Sequence, residues 1–308
     1  MKTILITGGA GFIGRNLAEK LYGEGNRIII LDRVRKDINQ SPGYLYHELD
    51  IRYPITDLVD SAIDEIYHLA CPASPVQYSK DPIDTLDTAI QGTSNVLELA
   101  RINQCKIVIA STSEIYGDPF EHPQSEFYNG NVNTTSDRAC YQEGKRAAET
   151  YARLYYTEYG VDTRVVRIFN TYGPHMALND GRVIPEFIKA ALLRGHLKVA
   201  NGSQTRSFCY VEDTVNGLIA VMNCKKMETF SFPVVNIGND DERTIMSVAQ
   251  YIVDTIGQGV IVSDEPYKIG AMRRKPSLIR AKQILNWSPT VSFEEGIART
   301  IADIKERL

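Results

Sequence analysis

The sequence is poor in cysteine and nearly without tryptophan: 308 residues hold five Cys and one Trp. Cys71, Cys105, Cys140, Cys209 and Cys224 stand far apart, with no CxxC pair and no Cys/His cluster. That spacing indicates neither a disulfide framework nor a zinc site, and no metal is expected. Long hydrophobic runs are missing as well. Nothing approaches the roughly 20 apolar residues of a bilayer-spanning helix, and the apolar part of "MKTILITGGAG" is too short for a secretory signal. Basic charge is not in excess either: 34 Lys and Arg against 38 Asp and Glu leave a net charge of −4 and a pI near 5.8. The longest cationic cluster is "RRK" at 273–275, so neither nucleic acid nor an acidic membrane is expected as a partner. A cytoplasmic, reduced protein is the expectation.

What is present is a regular alternation. "KTILIT", "RIIILD", "EIYHLA", "KIVIAST" and "TRVVRIF" are apolar throughout and read as buried strands. Helical patterns separate several of them: "FIGRNLAEKLYGEG", about 85–101, and about 141–159. Such alternation predicts an α/β fold, a doubly wound parallel sheet of Rossmann type with helices on both faces. After Asn170 the pattern loosens, and the tail from about residue 234 reads as too interrupted to continue the sheet. We therefore expect a dinucleotide-binding domain of residues 1–170 plus about 205–235. A smaller α/β substrate domain would take about 171–204 plus 236–308.

Between the first strand and first helix lies "TGGAGFIG", with Gly8, Gly11 and Gly14. Small residues in such a turn let backbone N–H groups approach a pyrophosphate at a helix N-terminus. Alone the triplet fits any tight turn; its place between strand and helix, with Asp32 ending the next strand, makes it a dinucleotide signature. A carboxylate at Asp32 accepts from both ribose hydroxyls and repels a 2′-phosphate, which favours NAD, whereas the neighbouring Arg33 softens that preference. Asp50 is placed for the adenine amino group. Phe12, Ile13, Ile51 and Leu69 complete the expected cofactor contacts.

The run "KIVIASTSEIYG" ends in hydroxyls and a carboxylate, Ser111, Thr112, Ser113 and Glu114. A capping hydroxyl at a solvated strand end accounts for these letters; so does a ligand oxygen handled at the sheet's carboxyl edge. Tyr141 and Lys145, four apart in "CYQEGK", project from one helix face. With 17 Tyr in the chain that spacing is uninformative alone, and its position after the nucleotide turn and the polar strand end is what counts.

The glycine turn, "STSEIYG", "YQEGK" and "RIFNTYGP" together resemble the extended short-chain dehydrogenase/reductase family, and the resemblance spans nearly the whole chain. It implies a tightly held NAD, a nucleotide-sugar substrate and a Thr112–Tyr141–Lys145 triad. Tyr141 would take the proton of the sugar C4 hydroxyl, with its pKa lowered by the Lys145 ammonium. Dehydratases of the family carry Asp-Glu where this chain has Ser113-Glu114, and epimerases lack the Glu. "HLACPASPVQYSKDPIDTL", "GSQTRSFCYVEDTVNGL" and "MRRKPSLIRAKQILNWSPTVSFEEGI" are similar to the UDP-glucuronate decarboxylase subgroup, which implies loss of CO2 from a 4-keto intermediate and return of the hydride to give UDP-xylose. The same resemblance implies that Glu114, or a water it positions, serves in decarboxylation and reprotonation of C5. Arg274 would hold the carboxylate or a phosphate, and Asn170, Arg182, Val183 and Arg206 the nucleotide sugar. A homodimer pairing the helices near 85–101 and 141–159 is implied too. Alternative readings are a 4,6-dehydratase or epimerase and, from another class, a non-catalytic nucleotide-sugar-binding scaffold. The chain departs from the family at Ala89, usually Asn, at Gln142, usually acidic, and at His175, often Arg. It departs again in "RVRKDINQSPG", which lacks the subgroup's Thr-Gly and basic residues.

Overall fold

The computed structural model describes residues 1–34, 43–56, 62–179, 181–229, 232–263 and 271–308. Its centre is a seven-stranded sheet in which every pairing is parallel. Six strands are β1 Thr3–Thr7, β2 Arg27–Asp32, β3 Tyr44–Glu48, β4 Glu65–His68, β5 Lys106–Thr112 and β6 Thr163–Ile168. The order is Val234–Ile237, β6, β5, β4, β1, β2, β3. Strands β1, β2, β4 and β5 are apolar on both sides because both faces are covered: Ile4, Ile6, Ile28 and Ile30 enter one buried cluster, and Leu5, Ile29, Leu31 and Ile66 the other. The order reverses between β1 and β4, and a ligand crevice opens at the carboxyl ends of such a switch point. The glycine turn, Leu69, the end of β5 and the start of the long helix Ala139–Tyr159 all belong to that edge.

Two strands differ from expectation. "YLYHE" is β3, a half-exposed edge strand whose burial alternates too weakly to read as an apolar run. Val234–Ile237, expected outside the sheet, is fully buried and pairs with β6 in register from Val234↔Val165 to Ile237↔Ile168. The tail thus closes the sheet instead of leaving it. Among the described residues there are three smaller sheets, including Thr205–Ser207 flanked by Glu242–Thr244 and Arg273–Arg274. Most of "RVRKDINQSPG" lies outside the described residues. Among the described residues no helix is long and apolar enough to cross a membrane.

Candidate active site

The turn after β1 is built by what its glycines omit. Gly8 has a left-handed φ of 71°, and a Cβ there would stand 2.8 Å from the backbone of Ala70. A Cβ on Gly14 would stand 2.3 Å from the Gly8 carbonyl oxygen, closing the turn on which helix α1, Phe12–Gly23, begins. At the first turn of α1 the main-chain N–H groups lack helical acceptors, which suits a pyrophosphate. Asp32 accepts from Ala10 N at 3.0 Å and from Val34 N at 3.1 Å, so its carboxylate is fixed beside the turn. Ile51 is buried against Gly92, and Leu69 N donates to Thr7 O. Asp50, expected near adenine, is held by Arg52 through Oδ1 at 3.0 Å and Oδ2 at 2.5 Å. Arg52, opposed by slight burial, lowers the Asp50 pKa.

On the helix Ala139–Tyr159, Lys145 is buried and its Nζ donates to Ala110 O at 2.8 Å. His68 is buried between Thr7 Oγ1 and Thr93 Oγ1 at 2.7 and 3.0 Å. Burial, joined by the Lys145 charge, drops its pKa to about 3, so it is a neutral, positioned ring. Tyr141 stacks on Tyr78 with ring centres 5.4 Å apart. Its phenol is raised, opposite to the expected direction: burial is the main cause, the Cys71 thiol adds to it, and a hydrogen bond with Thr112 opposes it. Thr112 Oγ1 also accepts from Glu114 N at 3.2 Å, which is the capping reading of the strand end. Ser111 instead serves the fold, donating to Glu149, and Ser113 is buried.

Glu114 is the most constrained group. Arg274 Nη1 contacts its Oε1, Arg138 Nη1 lies 3.4 Å from the same oxygen, and Gln142 Nε2 donates to Oε2 at 3.1 Å. Burial raises its pKa, but Arg274 and Arg138 outweigh that and hold it at about 2. It is therefore a carboxylate at neutral pH. Arg274 reaches it from the strand Arg273–Arg274, is only 2% exposed, and donates its other terminal nitrogen to Gly117 O at 2.8 Å. Its Nε is buried without a partner among the described residues. Arg138 and Tyr78 were not read from the sequence. Arg138 stands at the N-cap of the helix Ala139–Tyr159, ahead of its helical period.

The remaining residues are more dispersed. Arg206 pairs in register with both Arg243 and Arg274, and its Nη1 donates to Thr205 O. Arg182 Nη2 donates to Ala73 O at 3.1 Å, and its charge reaches Tyr141. Val183 opens the helix Val183–Lys189, and Asn170 O accepts from Cys209 N. Ala89 is buried where two helices cross: a Cβ on Gly144 would stand 2.9 Å from its methyl. Gln142 supplies an uncharged donor where a carboxylate would face Glu114. His175 takes a left-handed φ of 67° and sits 3.5 Å from Glu19 while its N–H faces Asp303.

Residues 4–238 match the family described as NAD dependent epimerase/dehydratase. The chain belongs to it. Within that family, UDP-glucuronic acid decarboxylase 1 of Arabidopsis thaliana is 42% identical over 316 residues, covering 99% of this chain and 70% of that one. The namesake from Xenopus tropicalis is 44% identical over 318 residues, covering 100% and 73%. A UDP-glucose 4-epimerase of Thermotoga maritima, solved with UDP-glucose, superposes with a TM-score of 0.89 at 26% identity over 99% of both chains. The epimerase/dehydratase fold therefore covers the entire chain, including the tail that closes the sheet.

Proposed function

We propose that this chain is an NAD-dependent UDP-glucuronate decarboxylase that forms UDP-xylose. The observation that carries the reading is Glu114 beside Arg274: a decarboxylase of this family has the carboxylate an epimerase lacks, and Ser113 withholds the acid a dehydratase needs. The 42–44% identity to decarboxylases over the whole chain supports it. The glycine turn, with no room for a Cβ, and the fixed Asp32 fit NAD, and Lys145 fits the nicotinamide ribose. NAD, when bound, accepts the C4 hydride and later returns it.

The chain's own residues do the rest. Tyr141 takes the proton of the C4 hydroxyl, with Thr112 orienting the oxygen. Because burial holds the phenol protonated, the Lys145 ammonium must favour the phenolate as the reaction proceeds. At the C4 ketone, the C5–C6 bond breaks, CO2 leaves, and the electron pair rests on O4. Tyr141, now protonated, and Thr112 donate to that oxyanion. Glu114 holds Arg274 in place and positions a water that gives a proton to C5, the hydroxide left behind taking a proton from solvent. Residues 1–170 plus about 205–235 hold the cofactor, and about 171–204 plus 236–308 hold the sugar nucleotide through Asn170, Arg182, Val183, Arg206 and Arg274. The protein works as a homodimer in the cytoplasm, where its five free thiols stay reduced. Absorbance of NADH in single turnovers tests the substrate: UDP-glucuronate gives the signal, and a preference for UDP-glucose would overturn the reading in favour of an epimerase.

A further inference from the structure

At the expected adenosine end of the cofactor site, four charged side chains, Arg33, Asp84, Arg52 and Asp50, form one chain of contacts. Arg33 engages Asp84 through both terminal nitrogens, Nη1 to Oδ1 at 2.7 Å and Nη2 to Oδ2 at 2.8 Å. Arg52 Nη1 meets Asp84 Oδ1 at 2.8 Å and grips Asp50 with its other nitrogens. Asp32, one residue before Arg33, points its carboxylate to the glycine turn. A guanidinium immediately after the ribose-binding carboxylate is the group that accepts a 2′-phosphate in enzymes that use NADP. Here that guanidinium is already spent on a planar, two-point ion pair, the strongest geometry open to it. The partner comes from a different element, the helix Pro82–Asp87, where Asp81 caps Asp84 N, so the Asp84 side chain is not needed to start the helix.

We propose that Asp84 is a positioning residue for cofactor selectivity, holding Arg33 out of reach of a 2′-phosphate and so securing the preference for NAD. This rests on the dinucleotide reading of the glycine turn and is independent of the sugar chemistry. The sequence alone sets Asp32 and Arg33 against each other; the ion pair with Asp84 resolves the conflict. Arg33 contributes nothing to NADP binding while the clamp is intact.

Isothermal titration of the nucleotide-stripped full chain with NAD and with NADP tests this, comparing wild type, Asp84→Ala, Arg33→Ala and the double variant. Asp84→Ala is expected to narrow the NAD:NADP affinity ratio by about tenfold, the scale of one charge-assisted hydrogen bond. Arg33→Ala alone leaves the ratio where it is, and Arg33→Ala added to Asp84→Ala abolishes the gain. If Asp84→Ala leaves the ratio unchanged, the clamp does not set selectivity. If the double variant keeps the gain, the effect is loss of repulsion by Asp84 and the proposal is overturned. If wild type binds neither dinucleotide, the reading of the turn itself fails. Melting curves of all four proteins confirm that each is folded.

Discussion

The side-chain amide of Gln142 donates to Oε2 of Glu114 at 3.1 Å, on the side of the carboxylate opposite Arg274. It follows Tyr141 directly, so the same helical turn carries the proton acceptor and the donor that fixes Glu114. Tyr141 and Tyr78 also face this carboxylate, and both feel its charge.

Gln142→Glu places a second carboxylate against Oε2. Two carboxylates in contact do not both stay ionised, and one of their apparent pKa values rises. We expect the acid limb of the kcat/KM profile to move to higher pH by about one unit or more, since one unit corresponds to about 1.4 kcal/mol. Gln142→Met, which only removes the donor, shifts it less. An acid limb in Gln142→Glu that coincides with wild type would show that Gln142 is packing alone.

Glu114→Gln keeps shape but removes the charge that holds Arg274. Turnover should fall by roughly 10²–10⁴, the scale of a positioned acid–base group, with the loss after C4 oxidation. Single-turnover NADH absorbance recorded alongside CO2 release separates the two steps. A wild-type rate of CO2 release would reduce Glu114 to a strand-end anchor.

The same variant carries a stability signature. Glu114 has a depressed pKa, about 2 against an ordinary 4.5. Its contribution is therefore complete above pH 4.5 and is lost as pH falls toward 2. The melting-temperature gap between wild type and Glu114→Gln should be wide at pH 7 and narrower at pH 3. A gap that does not change with pH would contradict the ionised, paired carboxylate.

Gly14→Ala puts a methyl 2.3 Å from the Gly8 carbonyl. In an open helix position the change would stabilise by up to about 1 kcal/mol. Here backbone must move, so we expect a lower melting temperature and weaker NAD binding by calorimetry. Unchanged affinity would mean that the turn does not cradle the dinucleotide.

Ile83, Ile102, Leu154 and Tyr159 lie exposed on the helical segments around 82–103 and on the helix Ala139–Tyr159. A homodimer through that face should give twice the chain mass by light scattering at micromolar concentration. Leu154→Arg should reduce it to the monomer mass, and a monomeric wild type would overturn the proposed assembly.

The strands of the central sheet were legible where both faces are covered, because burial on both sides writes a continuous apolar run. Edge strand β3 writes no such run, and Val234–Ile237 is defined by pairing with a strand about 70 residues earlier, beyond the reach of local pattern. Tyr141, Lys145 and Thr112 were singled out by the family resemblance and by their order along the chain, not by spacing alone. The raised phenol was not, because it depends on burial, and neither was the direction of the Lys145 hydrogen bond. Arg138 meets the site from a helix N-cap and Tyr78 from the separate short helix Pro75–Lys80, and the Arg33–Asp84 pair joins segments about 50 residues apart. Such contacts leave no period in the sequence.

The central claim is tested most directly by incubating the NAD-loaded protein with UDP-glucuronate and measuring CO2 while identifying the sugar nucleotide by NMR and mass. One CO2 per UDP-xylose, both abolished in Tyr141→Phe, is the predicted result. A product that keeps its C6 carboxylate, whether epimerised or dehydrated, would contradict the account.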